Sequence, residues 1–204
     1  MKQERNSSPP GGSALLYDML MWPVERAAVG AWRRRLAARA RGRVLEIGAG
    51  SGSQFRWYAP GTEVTALEPD AAMAARARRR ASQAVAGVRV AEGRAEELPF
   101  ADEHFDAVLA AFTLCTVGEP ERALAEVHRV LKPGGELLLI EHVHLPWQPG
   151  RWLQSQAAPL WAKAAGGCRL DRDTLGLVRA AGFAVVSEQP HVAAWIREVV
   201  ARRP

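Results

Sequence analysis

A chain of 204 residues with 48% hydrophobic and 24% charged side chains has the balance of one globular domain, long enough to bury roughly 70% of its unfolded surface. Its net charge of +5, from 27 basic and 22 acidic residues, permits acidic partners, but no basic run is interleaved with aromatics and no nucleic-acid partner is expected. Two cysteines, Cys115 and Cys168, make neither a disulfide framework nor a metal-type spacing, and no apolar run approaches the ~20 residues that span a bilayer; the expected setting is cytoplasmic, with no membrane anchor.

Residues 1–12 are polar and lack the apolar stretch of a signal peptide, so they read as a disordered tail ahead of a single domain over 13–204. Residues 15–40 read as helical, divided in two by Pro23. Strands and helices then alternate. Residues 44–47 are a short apolar strand, 54–58 start a crossover helix, and 63–67 are a second strand. After Pro69, alanine-rich residues 70–84 form a helix, 88–91 a third strand, 93–100 a polar loop and 105–110 a fourth strand. Pro120 starts a helix over 121–131, Lys132-Pro133-Gly134-Gly135 stops it, and 136–143 are a fifth strand. Residues 146–166, carrying Trp147, Trp152 and Trp161, read as a helix, followed by another over 171–181 with Asp171 or Asp173 as its cap and Gly182 as its stop. Residues 183–188 and 191–196, separated by Gln189-Pro190, read as a hairpin closing the sheet. The alternation implies βαβ units: an α/β fold with a mostly parallel seven-stranded sheet, helices on both faces and a C-terminal antiparallel hairpin.

The run Arg43-Val44-Leu45-Glu46-Ile47-Gly48-Ala49-Gly50-Ser51-Gly52-Ser53 joins the first strand to three glycines at alternating positions, and the second strand ends in Glu68. Glycines there let backbone N–H groups approach a ligand, and a carboxylate 20 residues beyond Gly48 suits the two hydroxyls of a ribose. Taken alone, this admits either a dinucleotide or another nucleoside-bearing cofactor. The third glycine comes one residue too early for the dinucleotide pattern, with Ser53 in the sixth place.

Three later segments, Gly93-Arg94-Ala95-Glu96-Glu97-Leu98-Pro99-Phe100, Phe105-Asp106-Ala107-Val108 and Leu131-Lys132-Pro133-Gly134-Gly135, resemble in order and spacing the signatures of class I S-adenosylmethionine-dependent methyltransferases, from about Tyr17 to the end. Within that family, Leu114-Cys115-Thr116-Val117, Ile140-Glu141-His142-Val143, Gly167-Cys168-Arg169-Leu170 and residues 154–161 resemble the small-molecule thiol S-methyltransferases related to the mammalian alkyl thiol enzymes. The human members carry an N-terminal membrane anchor, and none is expected here.

The resemblance implies a Rossmann-like fold, S-adenosyl-L-methionine as cofactor, S-adenosyl-L-homocysteine as product, and a small-molecule acceptor, preferably a thiol. Glu46 and the turn holding Gly48, Ala49 and Gly50 would receive the methionine end. Glu68, followed by Pro69, would bind the ribose diol, and Arg94 and Ala95 would bracket the adenine. Many relatives have an aspartate where Arg94 stands; arginine cannot accept a hydrogen bond, so that contact shifts to Glu96 or is missing. Met73 packs near the adenine or is plain core. Ala111 and Phe112 would line the sulfonium region with Val117 beyond them, and Tyr17 would close from lid helices over 13–41 or simply pack. The tryptophan segment, 146–170, either covers the acceptor or is a structural lid.

On the acceptor side, a thiol must lose its proton to attack, and an imidazole is a base near neutral pH, so His142 is either that base or a histidine satisfied by backbone. Asp171 is a candidate second base or a helix cap. His142 and His144 share one strand face but lack a third ligand, so no metal is expected. Cys115 reads as a small buried apolar residue, and Arg76, Arg78, Arg79 and Arg80 as a solvated helix face. The remaining alternatives are an O-, N- or C-methyltransferase for a quinone, lipid or polyketide, a nicotinamide-dependent oxidoreductase, and a non-catalytic cofactor-binding regulator. The sequence leaves the oligomeric state open.

Overall fold

The architecture comes from a computed structural model that describes residues 29–192 and 194–204. Tyr17, the tail and the first of the expected lid helices lie outside the described residues. In chain order the elements are α1 (Gly30–Arg39), β1 (Arg43–Ile47), β2 (Glu63–Glu68), α2 (Ala71–Ala81), β3 (Gly87–Glu92), β4 (Phe105–Ala111), α3 (Pro120–Val130), β5 (Leu131–His142), α4 (Gln148–Ala164), α5 (Thr174–Ala180), β6 (Ala184–His191) and β7 (Ile196–Arg202). The strands form one seven-stranded sheet in the order β3-β2-β1-β4-β5-β7-β6, parallel except for β7, which runs antiparallel to both neighbours.

The strand period of two divides the core between the sheet's faces. Leu45, Ile47, Val108, Ala110, Leu137 and Leu139 pack on one side with Leu124 and Val127 of α3 and Val178 of α5. Their alternates Val44, Ala107, Leu109, Leu138 and Ile140 pack on the other with Leu36 and Ala37 of α1, Ala77 of α2 and Phe55. Both faces are therefore covered, which is why the central strands read as unbroken apolar runs. Two ion pairs pin α1 to the sheet: Arg35 to Glu198 on β7 at 2.5 Å and Arg39 to Glu136 on β5 at 2.7 Å.

Helix boundaries follow local chemistry. The Asp70 carboxylate accepts from the Met73 N–H at 2.8 Å and caps α2, Pro120 opens α3, and Gly182, at φ +89°, ends the turn after α5. Of the two expected caps for α5, Asp173 does the work, accepting from the Gly176 N–H at 2.9 Å.

Three expectations are corrected. The crossover after β1 contains a single 3-10 turn, Phe55–Trp57, where a helix was expected; Phe55 and Trp57 are apolar, and the buried ring of Phe55 fills the space against Gly52. The sequence Lys-Pro-Gly-Gly lies within the span of β5 but is a bulge, since the partner of Phe105 is Leu131 and that of Ala107 is Glu136. The hairpin turns after His191, and the second strand runs to Arg202; Pro190 pairs opposite Arg197 within β6. That strand is the sheet edge, where a residue without an N–H is tolerated. Among the described residues no helix is long and apolar enough to cross a membrane.

Candidate active site

The strand order reverses direction between β1 and β4, and the carboxyl ends of β1, β2, β4 and β5 converge there. Open α/β sheets bind ligands at such a switch point. A second cleft, lined by Arg43, Glu63, Val88, Arg89 and His104, lies at the amino ends of the strands, away from this convergence.

The turn after β1 is the one expected to face a nucleoside. Glu68 accepts from the Gly50 N–H at 2.7 Å and from the Asp70 N–H at 3.0 Å, fixing its carboxylate at the end of β2. Burial raises its pKa against those two backbone hydrogen bonds. The three glycines have separate reasons. A Cβ on Gly48 would stand 2.5 Å from Thr113, and one on Gly52 2.5 Å from the Phe55 ring, so both are required by packing. Among the described residues nothing lies within 4 Å of a Cβ on Gly50, and its bare backbone is the one a ligand could approach. Arg80 of α2 donates to the Ser51 carbonyl at 3.0 Å and hydroxyl at 2.5 Å, so one member of the expected solvated arginine face braces this turn, while Arg78 pairs with Glu92 at 2.8 Å.

These contacts predict that Gly48→Ala and Gly50→Ala separate. Both adopt φ near +60° (+62° and +57°), a left-handed cost of about 1–2 kcal/mol for a side chain. Gly48→Ala adds overpacking worth about 1–3 kcal/mol and is expected to lower the unfolding midpoint markedly. Gly50→Ala pays only the backbone cost, so it is expected to lower the midpoint less while weakening nucleoside-ligand binding, as thermal unfolding and calorimetric titration will show.

Glu46, 2% exposed, sits on β1 and accepts from the Tyr58 hydroxyl at 2.7 Å. Burial pushes its pKa up to about 7; the Tyr58 hydrogen bond and the Arg33 charge oppose the rise, and the Glu68 charge adds to it. A buried carboxylate with one hydroxyl donor among the described residues keeps lone pairs that an ammonium group could satisfy. With the open Gly50 backbone and the fixed Glu68 carboxylate, the residues present fit a ligand that carries an amino acid at one end and a ribose at the other.

The folded protein holds a proton on Glu46 between its ordinary value of 4.5 and about 7, a range in which the unfolded chain has released it. Stability of the ligand-free protein is therefore expected to fall as pH rises through this window, by about 3 kcal/mol at most. Affinity for an ammonium-bearing ligand is expected to rise over the same window. Near pH ~6 binding should release a proton, seen as a dependence of the calorimetric heat on buffer ionisation enthalpy.

The other residues expected on the nucleoside side follow the carboxyl ends of β2, β3 and β4. Arg94, exposed, pairs with buried Glu96 at 3.0 Å, and Ala95 between them is buried. Met73 is half-buried on the first turn of α2, and Pro69 is exposed beside Glu68. Val117 donates its N–H to Thr113 and accepts from the Arg172 guanidinium at 2.8 Å, a loop-building role.

The stretch expected on the acceptor side is organised by a residue that stands in the sequence only within the Ile140–Val143 block. Glu141, 1% exposed on β5, accepts from the backbone N–H groups of Thr113, Leu114 and Cys115 at 2.8, 2.8 and 3.1 Å. Its carboxylate replaces a ladder partner for the chain leaving β4. Phe112, just ahead, is non-glycine with φ +60° and half-buried, and its ring lies 4.8 Å from that of His142. A side chain held in the left-handed region at a strand end is strain retained at a site.

His142, half-buried at the end of β5, points Nδ1 at two sulfurs, 3.4 Å from Cys168 and 3.7 Å from Cys115, which are themselves 3.5 Å apart. Cys115 is therefore more than a buried apolar residue. As a pair, the sulfur–sulfur hydrogen bond holds Cys168 low, helped by His142, and pushes Cys115 up together with burial. Gln154 of α4 holds the loop that carries Cys168: it donates to the Val143 and Leu170 carbonyls at 3.0 and 2.7 Å and accepts from the Leu145 N–H at 2.8 Å. The Arg169 N–H donates to the Cys115 carbonyl at 2.7 Å, joining the two cysteine loops. Asp171 is paired with Arg169 at 3.2 Å, and His144 lies 3.8 Å from Asp173, so neither joins His142. On α4, Trp152 and Leu160 are exposed, and Trp161 interacts with Cys168.

Residues 45–139 match the model of the methyltransferase domain family. The chain is 36% identical over 163 residues to thiol S-methyltransferase TMT1B of Homo sapiens, covering 75% of this chain and 65% of that protein, so it spans just under two thirds of that relative's length. It is 32% identical over 189 residues to demethylmenaquinone methyltransferase of Renibacterium salmoninarum, covering 90% of this chain and 78% of the relative. The fold is similar to a solved S-adenosylmethionine-dependent methyltransferase of Thermotoga maritima, titled a possible histamine N-methyltransferase, with TM-score 0.68 and 27% identity over 93% of this chain and 96% of that one.

Proposed function

The chain belongs to the class I S-adenosylmethionine-dependent methyltransferases, and from that premise we propose that it transfers a methyl group to the sulfur of a small-molecule thiol. S-adenosylmethionine, when bound, supplies a methyl group on a sulfonium sulfur for in-line displacement and leaves as S-adenosylhomocysteine. Glu46 takes the ammonium end and Glu68 the ribose diol, with Gly50 offering its bare backbone between them. Arg94, Ala95 and Glu96 border the adenine. This fixed cradle orients the donor so that its methyl points toward Phe112, at the mouth of the acceptor side. Phe112 and the tryptophan helix α4 keep water from the reacting centre.

The observation that carries the reading to sulfur is the half-buried His142 beside Phe112, within 3.4–3.7 Å of two cysteine sulfurs, in a lining of soft and aromatic atoms. The resemblance to thiol S-methyltransferases supports it through the motifs that supply those residues, and the human relative's similarity supports it again. His142 is the acceptor-side residue; Asp171, engaged by Arg169, is given no part in proton removal.

Incubating the protein with S-adenosylmethionine and a panel of alkyl and aryl thiols, phenols, amines and reduced quinones tests this. S-methyl products in excess over all others are expected. Methylation of the quinones alone would replace the thiol reading with that suggested by the Renibacterium relative.

A further inference from the structure

Cys115, His142 and Cys168 stand on three separate segments, after β4, at the end of β5 and after α4, yet their three donor atoms meet at one point. The separations are 3.5 Å for sulfur to sulfur and 3.4 and 3.7 Å for the sulfurs to Nδ1. A tetrahedral cation with bonds of ~2.3 Å to sulfur and ~2.0 Å to nitrogen sets ~3.8 Å between sulfurs and ~3.5 Å from sulfur to nitrogen. Every observed separation lies within about 0.3 Å of those edges. The sulfurs are too far apart for the ~2.05 Å bond of a disulfide.

Among the described residues no fourth His, Cys, Asp or Glu joins this triangle. Cys115 is fully buried and Cys168 is 5% exposed. Both Glu141 oxygens are engaged by backbone N–H groups, so that carboxylate is not the missing ligand. Phe112 packs against the two cysteines, placing the cluster beside the mouth of the donor cradle. Two thiolates and an imidazole are a borderline-soft donor set, suited to zinc and unsuited to magnesium or calcium. Three protein ligands leave one exchangeable position, as in catalytic zinc sites.

We propose that Cys115, His142 and Cys168 bind one zinc-class divalent cation, and that its fourth position takes the sulfur of the methyl acceptor. The second half rests on the thiol reading above; the first stands without it. As the acceptor's sulfur enters, its S–H proton passes to water and the sulfur is held as a thiolate at neutral pH, because a coordinated thiol is deprotonated outright. His142 is then a ligand through Nδ1, and the cation takes over the proton chemistry otherwise required of an imidazole. The cysteines likewise release their protons on metal binding.

The test uses the full chain, reduced and stripped of metal, titrated with Zn²⁺ against a chromophoric chelator and separately with Co²⁺. One equivalent per chain is expected, with the visible bands of tetrahedral cobalt and a near-ultraviolet thiolate charge-transfer band. Both are lost in the Cys115→Ser/Cys168→Ser double variant. Because that variant is informative only if folded, X-ray absorption at the zinc edge of the unaltered protein is measured too. Two sulfurs at ~2.3 Å and a nitrogen at ~2.0 Å are expected. Adding a small alkyl thiol is expected to shift the cobalt bands and raise the charge-transfer intensity. Substoichiometric binding, a six-coordinate oxygen spectrum, or a Cys115–Cys168 disulfide in the reduced protein overturns the cation site. A cation spectrum that thiols leave unchanged overturns the fourth-position assignment alone. S-methylation by metal-free protein overturns the cation's role and leaves the thiol reading standing.

Discussion

Glu141→Ala is expected to lower the stability of the ligand-free protein by about 3–5 kcal/mol, since three buried N–H groups lose their acceptor at about 1–3 kcal/mol each and the carboxylate's own burial penalty is relieved in part. For a chain of this size that is a fall of roughly 10–15 °C in the unfolding midpoint. The three N–H groups belong to Thr113, Leu114 and Cys115, the residues that turn the chain away from β4. The same substitution should therefore loosen the loop that presents Cys115 and the strained Phe112. Glu141→Gln keeps one acceptor oxygen and should recover part of the loss. Urea and thermal unfolding measure both variants; a change below about 1 kcal/mol for Glu141→Ala would mean that water replaces the carboxylate at no cost.

Glu68→Ala is expected to weaken binding of S-adenosylmethionine and S-adenosylhomocysteine by ~10²–10⁴-fold, the worth of two hydrogen bonds to a charged acceptor at about 1.5–3 kcal/mol each. The loss includes a contribution from the turn, because the same carboxylate receives the Gly50 and Asp70 N–H groups. Glu68→Gln, with one acceptor oxygen left, should retain more affinity than Glu68→Ala. Calorimetric titration of the three proteins with the demethylated product reads the effect without turnover. Equal affinity across the series would remove Glu68 from the cofactor site.

The turn after β1 was legible because its contacts are local. An apolar strand, a glycine turn and a carboxylate at the next strand end are contiguous or nearly so, and Gly50 and Glu68 meet through one hydrogen bond. Alternation of strands and helices gave the parallel sheet and the closing antiparallel pair. What the sequence concealed depends on contacts distant along the chain. Gly48 and Gly52 looked alike to Gly50, yet only side chains from elsewhere, Thr113 and Phe55, reveal that packing requires them. The hairpin turn was misplaced because Pro190 is a turn residue locally, and only its position on an edge strand makes it tolerable in β6.

The cysteine–histidine cluster was hidden for the same reason. Metal sites are recognisable in sequence when ligands are closely spaced on one motif, whereas Cys115, His142 and Cys168 stand on three separate segments. The signal that existed was indirect: each sits in a short block resembling the same group of thiol enzymes. Gln154 was legible only as part of such a block; its three hydrogen bonds to Val143, Leu145 and Leu170 join α4 to the end of β5 and the Cys168 loop.

The measurement that tests the central claim most directly is a crystal structure with S-adenosylhomocysteine and an alkyl thiol bound. The account predicts the ribose diol on Glu68, the ammonium on Glu46, and the product sulfur directed past Phe112 toward the thiol's sulfur beside His142. A nucleoside seated elsewhere on the sheet, or a thiol sulfur remote from His142 with the product in place, would contradict it.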